Sequence, residues 1–256
     1  MKITNSKLKK IFLIIFSCIF VLSVTYLVFM IVKSNIGKTP SGLIEVYNEN
    51  KPTEDTKQEE EKNKRILKLE ELQKENKDIV AYIEIDGTNI SYPVVQTSDN
   101  DYYLFKNYKK QYSQDGSIFL DKDVNLSMPS CNFLMYGHNN QNGNMFSDLL
   151  KFRDESYYNQ HKKIRFITNS EEAEYEIMSV FFSRVYFKSE KNVFRYYYFV
   201  NAGSKEEFDE YVRSSKKASI YDTGVTAEYG DQLITLSTCS YHTEDGRFAV
   251  VARKTK

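Results

Sequence analysis

Three residues in this chain are of the types that acyl transfer needs: Cys239, His138 and Arg247. A cysteine thiolate is a nucleophile, an imidazole exchanges protons near neutral pH, and a guanidinium keeps its charge and can face a developing oxyanion. Cys239 ends Leu233-Ile-Thr-Leu-Ser-Thr-Cys, an apolar and β-branched run that reads as a strand. A strand end is a rigid mount that opens onto a loop, so it can hold a nucleophile still and leave it reachable. His138 follows Asn132-Phe-Leu-Met-Tyr-Gly, a second such run, and Arg247 opens a third, Arg247-Phe-Ala-Val-Val-Ala-Arg253. Taken one at a time, each residue fits a plainer role: a core cysteine, a loop histidine, a surface arginine. His242, three positions after Cys239, is a rival base, and His161 sits in a charged Gln-His-Lys-Lys stretch that reads as solvated. Ser237 shares a strand face with Cys239 by alternation, and Tyr241 lies just beyond it. Both are candidate substrate contacts, with ordinary packing as the alternative.

The elements that must carry these residues are mostly strands. Twenty tyrosines and seventeen phenylalanines with no tryptophan suit a pleated surface. Strands are expected at 80–85 and 88–95, joined by the turn pair Asp86-Gly87, and at 116–120, 132–136, 163–167, 174–185, 232–237 and 247–253. Pro93, which has no N–H to give, belongs at a sheet edge or bulge. Ile66, Leu69 and Leu72 at helical spacing predict an amphipathic helix that ends at Asn76 and Asp78. Short helices are expected over 145–152 and 155–161. A longer one runs from a Ser204/Glu207 capping box to about Lys216, burying Phe208, Tyr211 and Val212. Many short strands with a helix inserted before the last two predict a mainly β fold: a mixed-to-antiparallel β-barrel with peripheral helices.

The N-terminal quarter reads differently. Residues 11–32 are apolar and uncharged, about the ~20 residues a bilayer crossing requires. Lys2, Lys7, Lys9 and Lys10 precede them, which puts residues 1–10 in the cytoplasm and the rest outside. A cleaved signal peptide is the other reading, but its apolar region is shorter, ~7–15 residues, and ends in small residues; Leu27 to Val32 continue without them. Residues 33–62 are polar and interrupted by Gly37, Pro40, Gly42 and Pro52, so they are expected to be a solvated extracellular tether. The folded domain is expected over 63–256. Lysine plus arginine equal aspartate plus glutamate at 35 each, so net charge gives no reason to expect a nucleic-acid partner. Outside the span, Cys131 and Cys239 are the two cysteines, and an exported chain permits a disulfide between them. That pairing would make the chain a membrane-tethered binding module without catalysis. With no Cys-x-x-Cys pair and no histidines at ligand spacing, no metal is expected.

Together the three elements resemble the sortase family, whose signature is Thr-Leu-X-Thr-Cys on one strand, an arginine at the start of the next and a histidine far upstream. Thr235-Leu236-Ser237-Thr238-Cys239 matches it residue by residue, Arg247 lies eight positions on, and Tyr136-Gly137-His138-Asn139 fits the histidine turn. Within that family the chain is most similar to class B, through Asn76 to Gln96, Asp101-Tyr-Tyr-Leu104, the N-terminal helix and the helix at about 205–216. The resemblance covers roughly Ile66 to Arg253. It implies an eight-stranded sortase barrel and a cysteine transpeptidase working through a thioacyl intermediate. Cys239 would be the nucleophile, His138 rather than His242 the acid/base, and Arg247 the group that stabilises the oxyanion or aligns the substrate. The implied partners are surface proteins with an Asn-Pro-X-Thr-like C-terminal sorting signal and a peptidoglycan-precursor amine (the lipid II cross-bridge). No metal or organic cofactor is required. A cysteine peptidase that passes the acyl group only to water is the remaining enzymatic alternative.

Overall fold

Glutamate, lysine, glutamine and leucine dominate the chain from Glu54 to Glu75. This helix-favouring composition forms α1 (Glu54–Glu75) in the computed structural model, which describes Tyr26, residues 54–127 and residues 130–255. The helix thus begins inside the segment expected to be a tether. A charged composition denies a segment a core of its own but not a helix, and Glu59–Lys62 and Glu61–Lys64 pair one turn apart along it. The predicted span over 11–32, save Tyr26, lies outside the described residues; among those described, no helix is long and apolar enough to cross a membrane.

Eight strands follow: β1 (Ile79–Glu84), β2 (Ser91–Val95), β3 (Ile118–Leu120), β4 (Asn132–Tyr136), β5 (Lys163–Ile167), β6 (Glu172–Arg184), β7 (Leu233–Cys239) and β8 (Gly246–Lys254). They close into a barrel in the order β1-β2-β3-β4-β7-β8-β6-β5, with β5 returning to β1. The β2–β3 and β4–β7 pairs are parallel and the others antiparallel, so the expected mixed barrel is present. Helices α2 (Glu155–Gln160) and α3 (Lys205–Ala218) lie between strands in the chain.

Two local expectations differ from the structure. The first hairpin is wider than a two-residue turn: Glu84 pairs with Ser91, and Ile85 to Ile90 form a loop tied by Ile85 N to Ile90 O at 2.9 Å. Gly87 still does turn work there, at φ +75°, with its Cα packed under the His161 ring where a Cβ would come within 2.6 Å. The helix expected over 145–152 is instead a 3-10 segment, Ser147–Arg153, because Met145 takes a left-handed φ of +57° and turns the chain before it. Pro93 sits opposite Tyr82, just short of the two positions where β3 joins β2, so that stretch of β2 is locally an edge.

The main core fills the barrel, and α3 adds Phe208, Tyr211 and Val212 to it, with Phe199 stacked on Tyr211 at 3.9 Å. The α3 cap is a shifted capping box: Ser204 Oγ accepts from Glu207 N, while the Glu207 carboxylate reaches back to Gly203 N at 2.7 Å. A second core beds α1 on the barrel through Leu69, Ile79, Tyr82, Val95, Phe119 and Ile167. Arg65 adds a two-pronged hydrogen bond to Glu172, at 2.8 and 2.7 Å. Leu69 is fully buried in that core whereas Leu67, two positions earlier and on the other face of the helix, is 60% exposed. Leu69→Ala is expected to lower stability by about 2–4 kcal/mol and Leu67→Ala by less than about 0.5 kcal/mol, as read from urea unfolding curves.

Candidate active site

The site grows from one strand pairing. In the parallel β4–β7 ladder Asn132 lies opposite Leu233 and Tyr136 opposite Ser237, so the two strands end side by side. The next residues continue the match. Gly137 N donates to Ser237 O at 3.1 Å, Thr238 Oγ1 donates to Gly137 O at 2.7 Å, and Asn139 Nδ2 donates to Cys239 O at 3.1 Å. His138 is thereby bracketed by two residues bonded to the Cys239 strand. Gly137 is required for this approach: a Cβ there would come within 2.4 Å of Ile118 and 2.8 Å of Phe146. On the other flank of β7, the antiparallel pairing sets Arg247 of β8 directly opposite Cys239. The cysteine therefore stands on a middle strand between a histidine strand and an arginine strand.

All three residues line a cleft of about 290 Å³ whose walls also include Asn100, Leu104, Tyr136, Val185, Tyr196 and Ser237. The imidazole of His138 meets the Leu104 carbonyl through Nε2 at 2.7 Å. A carbonyl only accepts, so Nε2 carries a hydrogen and Nδ1 is the nitrogen left to exchange a proton. The ring edge packs over Gly116, at φ +62°, where a Cβ would come 3.0 Å from His138 Cδ2. Arg247 bonds only main-chain oxygens, those of Gly246 at 2.9 Å and Asp245 at 3.3 Å, and among the described residues no carboxylate pairs with it. Burial pushes the Tyr136 phenol well above its usual range and the Asp121 charge adds to this, while Arg247 pulls the other way. Tyr136 thus stays a neutral donor, bonded to Asp121 at 3.0 Å. Tyr196 is likewise raised by burial and shares a 2.7 Å hydrogen bond with Ser237 Oγ.

The remaining candidates fall elsewhere. Tyr241 is 81% exposed and off the cleft wall, with its hydroxyl 3.4 Å from Asn139 O. His242 bonds Ser240 Oγ at 2.9 Å and packs on Phe182, and His161 bonds Asp86 O; neither lines the cleft. Cys131 and Cys239 are both free thiols, which overturns the disulfide reading. Cys131 sits where β4 begins and Cys239 where β7 ends, and six to seven residues of extended chain separate their levels by about 20 Å. A disulfide bridges Cα atoms no more than about 7 Å apart. Three residues of the site carry no sequence signal: Gly116 acts by lacking a side chain, and Asn100 and Tyr196 come from distant segments; Leu104 stands in the Asp101-Tyr-Tyr-Leu104 run, but its task falls to its carbonyl. Asn139 was visible beside His138 but had no assigned task.

Comparison with known proteins gives the fold and site a context. A family model for the sortase domain matches residues 83–255. The chain is 35% identical over 184 residues to sortase B of Listeria monocytogenes, covering 71% of this chain and 72% of that one. Among solved structures it is similar to sortase B from Bacillus anthracis, with 35% identity, a TM-score of 0.65, and coverage of 73% of this chain and 84% of that one. It is also similar to the Staphylococcus aureus sortase B–substrate complex, with 26% identity, a TM-score of 0.65, and coverage of 79% and 98%.

The two thiols should differ in reactivity. Burial pushes the Cys131 thiol up, and its Sγ donates to Val200 O at 3.4 Å, so it stays protonated and slow at neutral pH and speeds up only as the pH rises beyond the ordinary thiol range. Iodoacetamide at pH 7, followed by peptide mass mapping, is expected to modify Cys239 first. The Cys131 and Cys239 peptides should appear unlinked with and without reductant.

Proposed function

This chain belongs to the sortase family, and from that premise we propose that Cys239, His138 and Arg247 carry out its cysteine transpeptidase reaction on the sorting signal of surface proteins. The observation that supports it is the strand order β4-β7-β8, which brings a histidine and an arginine to the two flanks of the Cys239 strand at one cleft.

The Cys239 thiolate attacks the carbonyl of the threonine in an Asn-Pro-X-Thr-like signal, and the carbonyl electrons move onto oxygen. Arg247, unpaired with any carboxylate among the described residues, has its charge free for that oxyanion or for the peptide backbone. As the tetrahedral species collapses, the C–N bond breaks, and His138 gives the departing amine a proton from Nδ1, Nε2 being engaged by Leu104 O. A thioester remains. An amine of the peptidoglycan precursor then attacks it, loses its proton to His138 Nδ1 and expels the thiolate, which restores the enzyme and joins the surface protein to the cell wall. Ser237, on the cleft wall, contacts the bound signal, and Tyr241, exposed beside Asn139, reaches only its outer part. The domain extends from about residue 63 to the C-terminus, held outside the cell by the apolar span at 11–32 and the segment at 33–62. No metal or organic cofactor enters any step.

With the detergent-solubilised full-length chain and signal peptides, Cys239→Ala, His138→Ala and Arg247→Ala should each lower cleavage by at least about 100-fold. His242→Ala should keep nearly all of it. An added peptide amine should give a new amide product. Full cleavage by Cys239→Ala would sink the assignment.

A further inference from the structure

The loop that follows His138 is gathered on one carboxylate that the reaction does not use. Asp115 immediately precedes Gly116, the residue over which the edge of the His138 ring packs. Its two carboxylate oxygens accept three side-chain amides from the loop that leaves the histidine: Asn140 Nδ2 at 3.2 Å and Asn142 Nδ2 at 2.9 Å on Oδ1, and Asn144 Nδ2 at 2.9 Å on Oδ2. Among the described residues Asp115 has no cationic partner. Its charge is served by neutral amides from one five-residue stretch, and charge-assisted hydrogen bonds of this kind are stronger than neutral ones.

That stretch also bonds to itself, through Gly143 N to Asn140 O at 3.1 Å, Asn144 N to Asn142 Oδ1 at 3.0 Å, Ser147 Oγ to Asn144 O at 2.6 Å and a bridge between Asn139 and Met145, but among the described residues its hydrogen bonds to the Gly116 turn are those of Asp115. Asn142 and Asn144 are exposed, Gly143 lies at φ +78° and Met145 at φ +57°, so no helix or strand ladder runs through it. At its two ends Phe146 N donates to His138 O at 2.9 Å and Asn140 N donates to Ser147 Oγ at 2.7 Å, which ties the loop's shape to the histidine's own main chain. The Asp115 carboxylate closes the remaining side, linking this loop to the Gly116 turn. The Gly116 turn is in turn packed against the Leu104 carbonyl that takes the Nε2 hydrogen.

Resting on the acid/base role given to His138 above, we propose that Asp115 is a positioning residue: by gathering Asn140, Asn142 and Asn144 it clamps the loop after His138 onto the Gly116 turn and holds the imidazole in register with Cys239. It touches neither substrate nor thiol. Removing it leaves the cleft walls and the peptide contacts in place and loosens only the ring that must pass a proton, and small displacements of a catalytic group cost rate far more than binding.

The test compares Asp115→Ala, Asp115→Asn, Asn144→Ala and the Asp115→Ala/Asn144→Ala pair in the full-length chain, with a signal peptide and a peptide amine as substrates. The expected result for Asp115→Ala is a kcat lower by about 10- to 100-fold with KM within about twofold and a thermal midpoint within about 3 °C. Asp115→Asn, which keeps one oxygen for Asn140 and Asn142, should fall between, and the double variant should be no worse than Asp115→Ala alone. A kcat within twofold of the parent in Asp115→Ala overturns the proposal. So does a loss that appears in KM, or one that tracks a fall in thermal midpoint, since those are the marks of a general structural role. His138→Ala is measured alongside: if it is fully active, the acid/base reading fails and takes the clamp with it, whereas an inactive His138→Ala with an active Asp115→Ala rejects the clamp alone.

Discussion

The parallel pairing of β4 with β7 is the constraint on which the site depends. A barrel of purely antiparallel hairpins would join neighbouring strands by short turns and send their ends in opposite directions. Here two strands a hundred residues apart in the chain run the same way, start together at Asn132 and Leu233, and end together at Tyr136 and Ser237. Register does the rest. Side chains alternate along a strand, so a slip of one residue would turn Cys239 from the cleft to the opposite face. Thr238 and Asn139 prolong the ladder past the last paired residues with side-chain bonds, and this carries the alignment out to the histidine and the cysteine themselves.

Main-chain groups perform much of the site's fine positioning. The Leu104 carbonyl decides which imidazole nitrogen bears hydrogen, and the Gly246 and Asp245 carbonyls hold the Arg247 guanidinium. Main-chain oxygens carry partial charge without net charge, so they orient the histidine and arginine and leave the cation's full charge unpaired. A carboxylate in either place would bind the arginine or stabilise the imidazolium outright. The buried carboxylate of Asp121 is instead occupied by Tyr136 and Asn100.

Close contact at the site comes from glycines placed where a methyl group has no room. Gly137 admits β4 against Ile118 and Phe146, and Gly116 admits the Tyr103–Leu104 main chain against the His138 ring. Both sit within three residues of groups that touch the histidine. The outer helices act at a longer range: α3 backs β7 through Tyr211, whose hydroxyl bonds Thr235, and α1 covers the second core beneath β1 and β2.

Much of this was legible in the chain itself. Cys239, His138 and Arg247 each stand at the boundary of an apolar run, and strand periodicity and turn residues are local properties that survive in one dimension. The eight strands, the helix carrying Phe208 and Tyr211 and its capping box follow from that local chemistry; the differences are the loop Ile85–Ile90, which side-chain bonds by Thr88 reshape, the 3-10 form of Ser147–Arg153 and the early start of α1 at Glu54. Strand order is not local. Nothing in residues 132–136 says that their neighbours are 233–237, and so strand pattern and spacing did not separate His138 from His242, a choice that only the family resemblance made; His242 is closer to Cys239 in sequence yet does not line the cleft. The tasks of Leu104, Asn139 and Gly116 were illegible for a related reason: these residues act through a carbonyl, an amide bond to main chain and an absent Cβ, and such roles exist only once distant segments meet. The sequence by itself determined which residues have the chemistry and which local elements carry them. Tertiary structure alone decided which of them face one another, because facing is a matter of register between strands that only the closed barrel brings together.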